Sequence, residues 1–231
     1  MARIVQKFGG SSVADLDRIR NVAQRVKAEV DTGHAVAVVL SAMSGTTNQL
    51  VEWATTVGAV HDAREYDAIV ATGEQVTVGL LAVALQNLGV DARSWLGWQV
   101  PIHTDDVHGA ARIDHIDAAS IDQRLSQGQV AVIAGFQGIG PDHRITTLGR
   151  GGSDTSAVAM AAATVPMHSY MVGSATPKLR ELSVPSSATS MPRSFLALGA
   201  SVNVLSFLPT VPMATAMSTL AVLALSSRCS T

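Results

Sequence analysis

Apolar positions along the chain fall into two alternating patterns, short unbroken runs and stripes at helical spacing. Val5-Gln6-Lys7-Phe8 reads as a strand, broken by Gly9-Gly10. Over 15–31 the residues Leu16, Ile19, Val22, Ala23, Val26 and Val30 recur at the spacing of one helix face, with Asp17, Arg18, Arg25 and Lys27 largely on the others. Gly33 stops this helix. Ala35-Val36-Ala37-Val38-Val39-Leu40 is continuously apolar, as a strand covered on both faces requires. Strand, helix and strand at this spacing make a βαβ unit with a right-handed crossover. Further on, the pattern predicts a helix from about 48 to 56 and two helices within 62–88 that meet near Thr72-Gly73-Glu74. It then predicts a short strand at 91–95, an irregular stretch at 96–111 and a helix over 117–127 closed by Gly128. Val130-Ala131-Val132-Ile133-Ala134 is a second fully apolar strand, and an Ala-rich helix follows at 154–163.

Three glycine loops follow predicted strands, and open α/β sheets bind ligands outside the carboxyl ends of their strands. After the first strand, Gly9 and Gly10 let the backbone approach a ligand, and Ser11 or Ser12 is expected to cap the next helix. Unpaired amides at such a helix start attract an anion, and Lys7 stands where its ammonium reaches the same anion. A phosphate site explains this stretch better than an ordinary turn with a surface lysine. Gly135-Phe136-Gln137-Gly138 repeats the logic. In Leu148-Gly149-Arg150-Gly151-Gly152-Ser153-Asp154 the glycines expose amides at a helix start, and the planar fork of Arg150 suits a carboxylate or phosphate. The loop Ser41-Ala42-Met43-Ser44-Gly45-Thr46-Thr47-Asn48 fits a ligand site and a polar connection whose hydroxyls cap a helix equally well. Glu74 lies among Ile69, Val70, Val76, Leu80 and Leu81. A carboxylate there is paired, binds something, or draws on the dipole of its own helix start. His103, Asp105, Asp106 and His108 match no established ligand spacing, and turn residues explain them better than a metal site. Trp95 and Trp98 are read as packing residues.

Composition narrows the class. The 231 residues carry a net charge of −2 and are 47% hydrophobic, enough for a large α/β core. The charge balance suggests no nucleic-acid partner, and 4% aromatics leaves few platforms for stacking bases. One cysteine, Cys229, excludes an internal disulfide framework. With no signal-peptide pattern and no spanning helix in the sequence, a cytoplasmic protein away from membranes is expected.

Five motifs together resemble the amino-terminal catalytic domain of aspartate kinases, within the amino-acid-kinase superfamily. They are Lys-Phe-Gly-Gly-Ser-Ser-Val (7–13), Ser-Ala-Met-Ser-Gly-Thr-Thr-Asn (41–48), Thr-Gly-Glu-Gln (72–75), Gly-Phe-Gln-Gly (135–138) and Thr-Leu-Gly-Arg-Gly-Gly-Ser-Asp-Thr-Ser-Ala (147–157). The resemblance covers residues 2–164 and implies a three-layer αβα sandwich around a mainly parallel, eight-stranded sheet, incomplete here on its C-terminal side. It implies transfer of the ATP γ-phosphoryl group to the β-carboxylate of L-aspartate, with ATP and Mg²⁺ as cofactors. Lys7 would stabilise the transferring group, and Asp154 would orient Lys7. Gly9, Gly10 and Ser11 would hold phosphates, and Ser41 would contact the nucleotide side. Thr47, Glu74 and Arg150 would hold aspartate, Arg150 at its α-carboxylate and Glu74 at its ammonium, with Gly151, Gly152 and Ser153 lining the same place. No protein-ligated metal centre is implied, and relatives of this kind associate as homo-oligomers.

The resemblance stops after Thr164. Residues 1–164 carry 17 acidic and 12 basic side chains, whereas 165–231 carry Lys178, Arg180, Glu181, Arg193 and Arg228 with six of the eight prolines. The catalytic region is therefore expected at 1–164. Residues 165–231 are read as an atypical tail, frame-shifted or fused, with no Asp-Val-Asp-Gly segment for adenosine and no ACT regulatory domains. A remnant that binds aspartate or phosphate without turnover is the alternative to an active aspartate kinase.

Overall fold

The computed structural model describes residues 2–59, 61–164 and the short strand 204–206. The expected tail, 165–231, otherwise lies outside the described residues. The elements run β1 (Arg3–Phe8), α1 (Leu16–Asp31), β2 (Ala35–Leu40), α2 (Thr46–Val57), α3 (Ala63–Val70), α4 (Thr72–Asn87), β3 (Ala92–Trp95), β4 (Ile102–Thr104), β5 (Ile113–Ile116), α5 (Ala119–Ser126), β6 (Val130–Ala134), β7 (Gln137–Ile139), β8 (Ile145–Thr147), α6 (Gly152–Thr164) and β9 (Val204–Ser206).

A five-stranded sheet has the order β3-β6-β2-β1-β9, with every pairing parallel. Its two inner strands, β2 and β6, are buried at every position, which is why their sequences are apolar without alternation. Side chains of successive strand residues point to opposite faces, and each face has its own helix layer. Phe8, Val36, Val38, Leu40, Val130 and Val132 pack with Ile19, Val22 and Val26 of α1 and Val78, Leu81 and Leu85 of α4. Val5, Ala37, Val39, Ala131 and Ile133 pack on the other side with Ile121 and Leu125 of α5 and Ala157 and Met160 of α6. The result is a three-layer αβα sandwich. The run 63–87 has the length and apolarity of a membrane span, but half of its most apolar window is buried in the protein.

The four-stranded second sheet, β5-β4-β7-β8, is mixed and was not foreseen, because its strands have only three or four residues each. The expected eight-stranded sheet is thus two sheets among the described residues. The stretch 96–111 is only partly irregular, since it contains β4. His103 stacks on His115 across β4 and β5 with centroids 4.2 Å apart. Trp95 is buried, with Arg93 4.0 Å over its ring, whereas Trp98 is half exposed and packs less than expected.

The first turn also departs from expectation. Gly10–Val13 forms a 3-10 turn, and α1 begins only at Leu16. The cap is Asp15, whose carboxylate accepts from the Arg18 amide at 2.8 Å, and neither Ser11 nor Ser12 fills that role. The loop after Phe8 is therefore longer, and its amides belong to a turn and not to a helix start.

Candidate active site

The carboxyl ends of β1, β2 and β6 lie in register, Lys7 beside Val39 and Val39 beside Ile133. Parallel pairing forces their outgoing loops to one edge of the sheet. Lys7 shares the face of Val5, the side covered by α6. There its Nζ meets Asp154 Oδ1, in the first turn of α6, at 2.8 Å, with the lysine side chain only 12% exposed. The amides of Gly9 and Gly10 donate to nothing among the described residues. A Cβ on Gly9 would lie 3.3 Å from Lys7 Nζ, and one on Gly10 would lie 3.0 Å from the Ala42 carbonyl. The glycines thus let the first and second loops close on each other beside a cation.

Glu74 enters from the opposite helix layer. It is the third residue of α4 and is 3% exposed. Its Oε1 accepts from the Ala42 amide at 2.9 Å, while Oε2 is buried with no partner. Desolvation pushes its pKa up to about 7, against the smaller lowering effect of the backbone bonds. An unpartnered carboxylate oxygen at a strand-end edge is a ready acceptor for a cationic group. Gly73 is required next to it, because a Cβ there would come 2.8 Å from the Ala42 Cβ.

The second loop leads from β2 into α2. Gly45 precedes α2 with φ +85° and no side-chain cap. The hydroxyls of Ser41, Thr46 and Thr47 bond nothing among the described residues, so capping does not account for them. The Ser41 amide continues the sheet by donating to the Phe8 carbonyl at 3.1 Å.

In the third loop, Gly149 and Gly151 both have positive φ, +74° and +75°, and hold Arg150 between them on the surface. Arg150 has no ion pair among the described residues. Gly152 and Ser153 begin α6 and are buried, Ser153 so close to Gly135 that a Cβ on Gly135 would meet its Oγ at 2.9 Å. Phe136 also takes positive φ, +68°, with its amide donating to Ser156 Oγ at 3.1 Å. Ser11 is exposed and Thr47 half-buried.

Close approaches link Glu74, Ala42 and Gly10 in one series and Gly9, Lys7 and Asp154 in another. Arg150 stands four residues before Asp154 on the way into α6. A cation, free amides and an acceptor carboxylate fit an anionic phosphate ligand beside a zwitterionic one. Two shallow hollows, of about 390 and 350 Å³, lie elsewhere, lined by Asp62, Arg64, His108 and Asp142 and by Thr104, Asp105, Arg112 and Asp114. Among the described residues no three His, Cys, Asp or Glu side chains gather as metal ligands.

One buried carboxylate escaped the sequence reading. Asp67 of α3 is fully buried and accepts from His108 Nδ1 at 2.7 Å and from Thr147 Oγ1 at 2.5 Å. It also accepts from the Gly109 and Thr147 amides at 3.1 Å. The signal was an acidic residue amid apolar neighbours, as for Glu74, but without a motif to mark it.

Residues 2–166 match the model of the Amino acid kinase family. Over 163 residues the chain is 52% identical to Aspartokinase 2 of Bacillus subtilis, a match covering 71% of this chain and 40% of that protein. It is 54% identical over 165 residues to an aspartate kinase of Pseudomonas fluorescens, with the same coverage of 71% and 40%. Among solved structures it is similar to aspartate kinase from Synechocystis, with TM-score 0.59, 47% identity and coverage of 69% of this chain and 26% of that one. It is also similar to E. coli aspartokinase III in complex with aspartate and ADP, with TM-score 0.59, 27% identity and coverage of 69% and 46%. The chain spans about 40% of the length of these curated relatives. With the family match reaching across every strand-end loop of the site, the chain belongs to the amino acid kinase family.

Proposed function

We propose that this chain carries an aspartate kinase catalytic region at 1–164, and that its reaction is ATP-dependent phosphorylation of the L-aspartate β-carboxylate to 4-phospho-L-aspartate. This is the opening step toward lysine, threonine and methionine. A β-carboxylate oxygen bonds the γ-phosphorus, the bond from that phosphorus to the β–γ bridging oxygen breaks, and ADP leaves. The acceptor is already ionised, so the reaction needs positioning and charge neutralisation and no strong base. Lys7, oriented by Asp154, neutralises the group in transfer. Gly9, Gly10 and Ser11 hold phosphate oxygens with backbone amides, and Ser41 contacts the nucleotide side. Glu74 takes the aspartate ammonium, Arg150 its α-carboxylate, and Thr47, Gly151, Gly152 and Ser153 complete that pocket. Mg²⁺ would ride on the nucleotide's oxygens, as this ion commonly does. The reading carries with it a soluble cytoplasmic protein that forms homo-oligomers.

The observation that supports this most is the Lys7–Asp154 pair, 2.8 Å long, at the strand edge beside two unbonded glycine amides. The test is acyl phosphate trapped with hydroxylamine from the full chain, ATP, Mg²⁺ and L-aspartate. Aspartate-dependent product is expected, with Lys7→Ala lowering turnover by about 10²-fold or more. Stabilisation by aspartate without any product would make the chain a binding region and not an enzyme.

A further inference from the structure

Asp67 touches none of the residues assigned to ligands, yet it joins the elements that carry two of them. Its helix, α3, passes through Ala71 directly into α4, on which Glu74 is the third residue. Its two carboxylate oxygens receive the amide and hydroxyl of Thr147, the last residue of β8 and three before Arg150. Each of these two parts is also anchored by one further bond. Gln137 Nε2 of β7 donates to the Ala71 carbonyl at 3.0 Å, and the Ala111 amide donates to the Thr147 carbonyl at 2.8 Å.

We infer that Asp67 is a positioning residue that sets the spacing between Glu74 and Arg150, the two ends of the aspartate grip, by bonding the β8 end of the Arg150 loop to the helix that leads to Glu74. The inference rests on the aspartate kinase reading of those two residues. Arg150 sits between two glycines in the left-handed region and has no ion pair of its own among the described residues. Its loop is therefore fixed from its ends. One end is the start of α6, and the other is Thr147. A carboxylate is needed at position 67 because every group around it is a donor: an imidazole N–H, two amides and a hydroxyl. An amide side chain would turn an NH₂ toward one of these donors and leave a buried N–H unsatisfied.

The test compares L-aspartate and Mg²⁺–ADP binding by calorimetry on the full chain and four variants. Asp67→Asn and Thr147→Val, the latter keeping the shape but losing the hydroxyl, are expected to weaken aspartate by about tenfold while leaving ADP within about twofold. Thr147→Ser keeps the hydroxyl and is expected to restore aspartate binding to within about threefold of the parent. Arg20→Ala breaks the exposed Arg20–Asp17 pair within α1, 2.6 Å long, and is expected to change neither ligand. If Asp67→Asn does not fold, Thr147→Val decides alone. Equal weakening of aspartate and ADP, or unchanged aspartate binding in folded Thr147→Val, overturns the inference. A parent that binds ADP but ignores aspartate overturns the aspartate kinase reading itself, and the inference falls with it.

Discussion

In the role proposed for Glu74 at the aspartate ammonium, stability and ligand binding oppose each other. Burial raises its pKa from 4.5 to about 7, so the folded chain holds a proton that the unfolded chain has already lost. The stability linked to this group is fully present below about pH 4.5 and is lost as pH rises to about 7. The loss is on the order of 3 kcal/mol at most. Glu74→Gln should flatten that dependence and raise the thermal midpoint of the ligand-free chain at pH 8, measured by calorimetry. The same variant should lose aspartate binding, because the ammonium needs the ionised carboxylate. In the parent, aspartate affinity should be about tenfold weaker at pH 6 than at pH 8. A pH-independent affinity would remove Glu74 from the ammonium site.

At the scale of elements, the site depends on close approach between the second loop and the start of α4. Gly73 is the contact that permits it. Gly73→Ala would place its Cβ 2.8 Å from the Ala42 Cβ, with Leu50 Cδ1 and Thr46 Cγ2 at 3.5 Å behind it. A fall in stability of about 1–3 kcal/mol is expected from overpacking, read as a lower urea midpoint. Moving α4 off the loop also lengthens the Glu74–Ala42 bond, so aspartate affinity should fall with it. The α1 cap offers a contrast. Asp15→Ala should cost about 1 kcal/mol and leave ligand binding unchanged, since Asp15 lies beyond the 3-10 turn.

For the whole molecule, the decisive feature is the edge of the parallel sheet. β1 carries Lys7 and pairs with β2 on one side and with β9 on the other, Lys7 beside Ser206. A chain ending at Thr164 would leave the backbone donors and acceptors of β1 open along that side. Such an edge is a template for pairing with another chain. The shortened chain should scatter more light than the full chain at equal concentration, and at rising salt as well as low salt. Equal monodispersity would show that β9 is not what protects β1.

The sequence alone determined the parallel sheet and its helix layers, because a strand buried on both faces must be apolar throughout and a helix packed on one face must repeat its apolar residues. β2, β6, α1 and α3 were legible for that reason. It also determined the three glycine loops, where positive φ at Gly149 and Gly151 and close approaches at Gly10 and Gly135 favour glycine. Only the tertiary structure decided the second sheet, whose strands are too short to show a period. It alone paired Lys7 with Asp154 and left one oxygen of Glu74 without a partner. It alone revealed the setting of Asp67, whose donors lie 41, 42 and 80 residues away in the chain. Local pattern reports which face a residue buries. It carries no information on which distant group arrives at that face, and the chemistry of this site lies in those arrivals.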